Sequence, residues 1–448
     1  MRRALSFDNS PALSVPLRFF LNVPFFALLA GLLLLWAGPQ ALESRWTPYT
    51  LALTHLLTLG ILASVMVGAL MQILPVATGV GVLAPRQTSC LVHAFLTLGT
   101  LTLAVAFLLP YPLLFKLALY MLVSAFAWLL AAWAGAFWRH RKLAAKDTRE
   151  ILLAARLALV SLLATVVLGG LLAAGFAWAL PLPMTLLTNV HAAWGLAGWV
   201  GLLVMGIAYQ VIPIFQATEL YPSQITRWLA PLIFILLVLW TTGALQYPGI
   251  DHVSTHTISV LLLAAYAVFA SATFYLLWTR KRPKADATTL FWRTAMVSLA
   301  GCAPVWLLQL ATGADYSVLL GVMFIAGFAW SAVNGMLYKI LPFLLWYHSQ
   351  KDLAIALRIV PKVKNIIPDA VASRQFWAHL PALLLLAAAS LWPTLFTHAA
   401  ATAFTVSAAW LGWNMMGALG LYLRARKEIA QAVHATEQAR RSAQNAQT

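Results

Sequence analysis

The stretch HLLTLGILASVMVGALMQILP, residues 55–75, is apolar almost from end to end and begins with a histidine. Wound as a helix at about 1.5 Å per residue, it is long enough to cross ~30 Å of hydrocarbon. Its last eight residues, GALMQILP (68–75), return as GIAYQVIP (206–213) and again as GMLYKILP (335–342). The Gly-to-Gly intervals are 138 and 129 residues, so the element recurs at a nearly even spacing. Gly and Pro seven residues apart lie on nearly the same helix face, where small residues let neighbouring helices approach closely. Pro at the end of each element is expected to stop the helix.

Working outward from this stretch, the whole chain reads the same way. Of its 448 residues 62% are hydrophobic and only 9% are charged. A soluble domain of that composition would expose much of its apolar surface to water. In a bilayer each backbone group must be satisfied within its own segment or within a closed barrel. Runs such as FFALLAGLLLLWAG lack the alternation of barrel strands, so the expected fold class is an all-α integral membrane protein. Twelve spans are expected, at about 17–37, 49–75, 88–109, 112–137, 152–180, 184–215, 226–246, 255–279, 289–311, 315–345, 376–394 and 397–423. They form one membrane domain, 1–423, followed by a polar tail, 424–448, expected to be a short helix that frays. The repeat falls in spans two, six and ten, which groups the spans into three four-helix units around a pseudo-threefold axis.

Charge orients the bundle. With both termini on the cytoplasmic side, 27 of the 29 Lys and Arg lie inside, leaving only Arg45 and Lys116 outside. The dense clusters are at 139–149, 280–284, 351–374 and 424–427. This is the positive-inside asymmetry of a bacterial inner-membrane protein, and an odd number of spans would destroy it. The net charge of +17 therefore reports topology, and the partner it implies is the lipid bilayer, not nucleic acid. The 351–374 loop is expected to carry an amphipathic segment on the inner surface. Cys90 and Cys302 have neither metal-ligand spacing nor a disulfide pattern.

Histidine inside a membrane is expensive and points to function. Of ten histidines, His140, His348 and His434 are expected at the inner surface or in the tail. His93 and His379 are expected as interfacial anchors at the inner ends of spans three and eleven. Five lie toward the outer side: His55, His191, His256, His398 and, beside Asp251, a solvated His252. His55 and His191 are expected at similar depth in two copies of the repeat. Apart from Asp315, the first residue of span ten, no Asp or Glu lies inside any span, which disfavours a transporter built on buried carboxylates. Neutral imidazole is the usual nitrogen ligand of haem iron and copper. Trp194, Trp199, Trp240 and Trp330 suit either a porphyrin pocket or ordinary core packing.

Twelve spans with a histidine near the outer end of span two resemble subunit I of the haem-copper oxidases. The likeness is greatest to the cbb3-type oxidase and nitric oxide reductase branches, and it extends to the NnrS-type membrane haem proteins. It is carried by residues 55–75 and by His191, Gly195, Gly206 and Pro213 of span six. The resemblance implies a b-type haem, with copper as a second cofactor, and a role in respiratory electron transfer or nitric oxide metabolism. A respiratory electron donor or another membrane subunit would be the protein partner. His55 would be the leading haem ligand, with Met323, His191 or His398 opposite it. His55, His191 and His256 would be the metal ligands. The chain also departs from the family. Span seven (APLIFILLVLWTTGAL, 230–245) lacks the His-His copper pair, and span ten has no histidine. The standard oxygen-reducing centre is therefore incomplete. A non-haem transporter, an assembly factor or a structural subunit on the same scaffold remain open.

Overall fold

The computed structural model describes residues 7–109, 111–141, 149–246, 253–350 and 353–445. Every regular element among them is helical. In chain order the long helices are α1 (Ser14–Ala37), α2 (Pro48–Thr78), α3 (Pro85–Leu108), α4 (Pro112–Arg139), α5 (Arg149–Trp178) and α6 (Met184–Gln216). They continue with α7 (Ser223–Gln246), α8 (Val253–Trp278), α9 (Ala287–Thr312), α10 (Ser317–His348), α11 (Asp369–Leu391) and α12 (Pro393–Asn445). The helices α1 to α10 are long and apolar enough to cross a membrane. This is a multi-pass membrane protein, and lipid is the environment that its exposed Leu, Val, Phe and Trp side chains require.

The three repeat-bearing helices form the centre. In α2, α6 and α10 the apolar stretch is 72%, 78% and 61% buried, against at most 56% for any other of the ten. Each is interrupted by a π-helical segment, Leu56–Ala63, Trp194–Gly201 and Val322–Trp330. These segments begin 12, 12 and 13 residues before Gly68, Gly206 and Gly335. A π stretch of this length is rare and re-aims the side chains that follow it. Threefold equivalence extends to the packing. Gly68 sits against Phe19 on α1, Gly206 against Ala154 on α5, and Gly335 against Phe291 on α9. Eight residues earlier in each helix a second glycine, Gly60, Gly198 or Gly327, meets Phe26, Ser161 or Ser298. The partner residues are seven apart on the first helix of every unit, as antiparallel neighbours require.

A cavity of about 60 Å³ lies on the pseudo-axis. Its wall repeats: Val65, Leu203 and Ala332 stand three residues before their glycines, and Ile73, Val211 and Ile340 five residues after. The outer helices close into a ring, with α4 against α5, α8 against α9, and α12 against α1.

Three expectations are corrected. Pro75, Pro213 and Pro342 do not end their helices, which run on to Thr78, Gln216 and His348. Proline removes only one N–H bond, and near a helix end that loss is small. α2 stops instead at Gly79, in the left-handed conformation at φ +76, whose N–H bonds Pro75 O at 2.8 Å. The tail does not fray after 424: α12 continues to Asn445, because RARKEIAQAVHATEQARRSAQN holds strong helix formers and no Gly or Pro. His93 and His379 are not interfacial anchors. His379 is buried and its ring nitrogen Nε2 bonds Ser331 Oγ at 2.8 Å, and His93 Nε2 bonds Asn22 Oδ1 at 3.1 Å. The loop after α10 contains two short helical segments, Leu353–Ile359 and Val363–Ile366. His252 lies outside the described residues.

Candidate functional site

The site begins where α2 changes from α to π winding. His55 is the last residue before that change, and His191 stands three residues before the π segment of α6. Their registers differ by two, since His55 precedes Gly68 by 13 residues and His191 precedes Gly206 by 15. The two rings nevertheless meet, with centroids 6.4 Å apart and planes 21° from parallel. The repeat brings α2 and α6 together at the axis, and the meeting follows from that.

Each imidazole is anchored by one nitrogen. His55 Nδ1 lies 2.7 Å from Leu51 O, one turn back in its own helix. His191 Nδ1 lies 3.0 Å from Thr165 O on α5. A carbonyl only accepts, so both Nδ1 atoms carry the proton and both Nε2 atoms keep a lone pair. This is the tautomer of a metal-ligating histidine, with the second nitrogen held by a backbone carbonyl. The walls are apolar. Phe107 on α3 stacks on His55 at 5.2 Å, and Phe115 and Phe176 continue the aromatic wall. Gly169 forms the floor beneath His191, where a Cβ would stand 2.9 Å from His191 Cε1. Both histidines keep part of their surface open.

The donor set discriminates between metals. Among the described residues no group of three or more His, Cys, Asp or Glu converges on one point. Two imidazoles with free Nε2 atoms suit a metal whose remaining positions are filled by its own macrocycle. They do not suit a copper or zinc ion that draws three ligands from protein.

The other sequence-derived candidates have different surroundings. His256 lies 5.9 Å from Trp306 on α9. His398 is exposed and edges onto Gly38, in the turn after α1. The Met323 methyl rests against Gly301 of α9. None of these contacts joins them to the pair. Trp194 donates Nε1–H to Thr241 Oγ1 at 2.9 Å, and Trp330 packs against Phe404, so both serve the core.

Sequence reading missed two buried polar groups. In the first unit Asn22 Nδ2 donates to Thr97 Oγ1 at 2.8 Å and to Ser64 Oγ at 3.4 Å, and its amide oxygen faces His93. In the third unit Ser331 meets His379. Ser64 and Ser331 each stand four residues before their repeat glycine, directly after the π segment, while the second unit has Leu202 there. Phe19 flanks His93 and Phe291 flanks His379, so the two pockets are equivalent. The available signal was a serine at the same register of the repeat. Comparison with protein-family models gives no match, and comparison with curated proteins gives none.

Proposed function

We propose that this chain is a twelve-span haem-binding membrane protein with the architecture of a haem-copper oxidase subunit I, diverged at its metal centre. In this reading α11 and α12 are the last two spans, both termini are cytoplasmic, and the membrane is the bacterial inner membrane. His55 and His191 would hold a b-type haem through their Nε2 atoms. The observation that carries it is the pair itself: two half-buried imidazoles, 6.4 Å apart, each with Nδ1 fixed on a carbonyl and Nε2 left to ligate. No buried carboxylate competes for either ring, so neither Nε2 is taken up by an ion pair.

When bound, the haem supplies a one-electron couple, which suits electron transfer in respiratory or nitric oxide metabolism. The chain's own residues do the positioning. Leu51 O and Thr165 O set the two tautomers, Phe107 limits rotation of His55, and Gly169 gives His191 room to stand against α5. Copper is not part of this reading, because neither His256 nor any other residue completes a third ligand among the described residues. Turnover as an oxygen reductase is not expected.

Purified protein should be red, with a Soret band that shifts on dithionite reduction. His55→Ala and His191→Ala should each lose or alter that band while the protein still inserts. A colourless, metal-free sample, or wild-type spectra from both variants, would overturn the haem reading and favour a transporter or assembly factor on this scaffold.

A further inference from the structure

One face of α10 is polar along a helix that is otherwise apolar. Ser331, Asn334 and Tyr338, at i, i+3 and i+7, share that face, and all three are buried. Ser331 and Tyr338 look onto α11 and α12, which answer with polar groups of their own. His379 of α11 meets Ser331 at 2.8 Å. Asn414 of α12 donates Nδ2–H to Tyr338 OH at 2.9 Å. Between these two layers Gln375 of α11 donates Nε2–H to Ser407 Oγ at 3.0 Å.

The middle layer is incomplete. Both amide atoms of Asn334 are buried without a hydrogen-bond partner among the described residues, and so is Gln375 Oε1. Asn334 and Gln375 are each 0% exposed. In hydrocarbon an unpaired amide costs on the order of 2–7 kcal/mol, so such groups are retained where something satisfies them. The lower end of the face is charged. Lys339, next to Tyr338, pairs with Asp286 at 3.0 Å, and Arg280 Nη1 lies 3.8 Å from the same carboxylate. From Lys339 to Ser331 the helix rises about 12 Å, roughly a third of a bilayer.

We propose that the seam between α10, α11 and α12 holds a short chain of bound water, anchored on Asn334 and Gln375. This chain places His379 in protonic contact with the Arg280–Asp286–Lys339 end of the bundle. Water is the ligand that fits, because it both donates and accepts and so satisfies the Asn334 amide and the Gln375 oxygen together. His379, with Nε2 on Ser331, is the innermost group of the seam able to take and release a proton.

Cysteine accessibility tests the water. Cys90 is exposed and would react, so Cys90 and Cys302 are first replaced by alanine. Asn334→Cys, Gln375→Cys and, as a dry control, Leu341→Cys are then exposed to a small cationic methanethiosulfonate in membrane vesicles of both orientations. Only thiolate reacts, and thiolate forms where water reaches. Asn334→Cys and Gln375→Cys should label at least tenfold faster than Leu341→Cys, and only from the side bearing Arg280. Equal rates at all three positions, or labelling from the opposite side, would overturn the proposal. The unmodified protein gives a second readout free of folding defects. X-ray radiolysis should oxidise Tyr338 and spare Tyr209, which is as deeply buried but lies outside the seam. The ring nitrogen signal of His379, assigned by its loss in His379→Gln, should exchange in heavy water within minutes. Protection of Tyr338 equal to that of Tyr209, or exchange over many hours, would show a dry seam.

Discussion

Gly206→Ala tests the close approach on which the repeat rests. Gly206 of α6 faces Ala154 of α5, and a Cβ added at Gly206 would stand 2.7 Å from Ala154 Cβ. Ordinary van der Waals contact begins near 3.4 Å, so the two helices must part by at least 0.7 Å. Ala154 cannot rotate away, because a methyl group has no other rotamer. Overpacking of this kind costs about 1–3 kcal/mol, while Gly→Ala in a helix returns about 0.4–1 kcal/mol by restricting the unfolded chain. The net loss is about 1–2 kcal/mol. Gly417→Ala and Gly420→Ala on α12 are the controls: nothing lies within 4 Å of either added Cβ, so they should be neutral or stabilising. Thermal unfolding in mild detergent, followed as the fraction that stays monodisperse, should lower the midpoint for Gly206→Ala alone. Moving the methyl across the interface, with Ala154→Gly and Gly206→Ala together, should restore most of the loss, since the pair is coupled. A Gly206→Ala midpoint at or above the parent's, or failure of the exchange to rescue, would refute the reasoning.

Two further outcomes are expected besides the spectral and accessibility tests above. Burial alone would raise the Asp286 carboxyl, but the Lys339 ammonium and hydrogen bonds from Thr289 outweigh it and hold the carboxyl below its ordinary value. Its contribution to stability is therefore fully present above the unfolded carboxylate range, near pH 4, and disappears as pH falls through the depressed folded value. Asp286→Asn should cost about 1–2 kcal/mol at pH 7, and its unfolding midpoint should converge on the parent's below pH 4. For topology, a C-terminal reporter should be active only on the cytoplasmic side, and activity in the periplasm would sink the proposed orientation.

Local chemistry made most of the helices legible. Apolar length alone placed the helix that ends the opening stretch, and the structure extends it only from 49–75 to 48–78. The Gly-to-Pro repeat marks the three helices that the structure buries most. The charged ends, the absence of carboxylates within the apolar stretches and the separation of Cys90 from Cys302 are likewise properties of the string of residues. The π segments could not be read, because their apolar sequences carry no periodicity that distinguishes π from α winding. His93 and His379 were misplaced for a related reason. A histidine near the end of an apolar run has the same composition whether it faces headgroups or a buried serine. Only the meeting of helices distant in sequence put Ser331 beside His379, and His55 beside His191. A bilayer selects helices by their total apolarity, which is additive along the chain. Which polar groups find each other depends on the rotation and register of each helix against its neighbours, and packing at glycines such as Gly206 and Gly335 decides that in three dimensions.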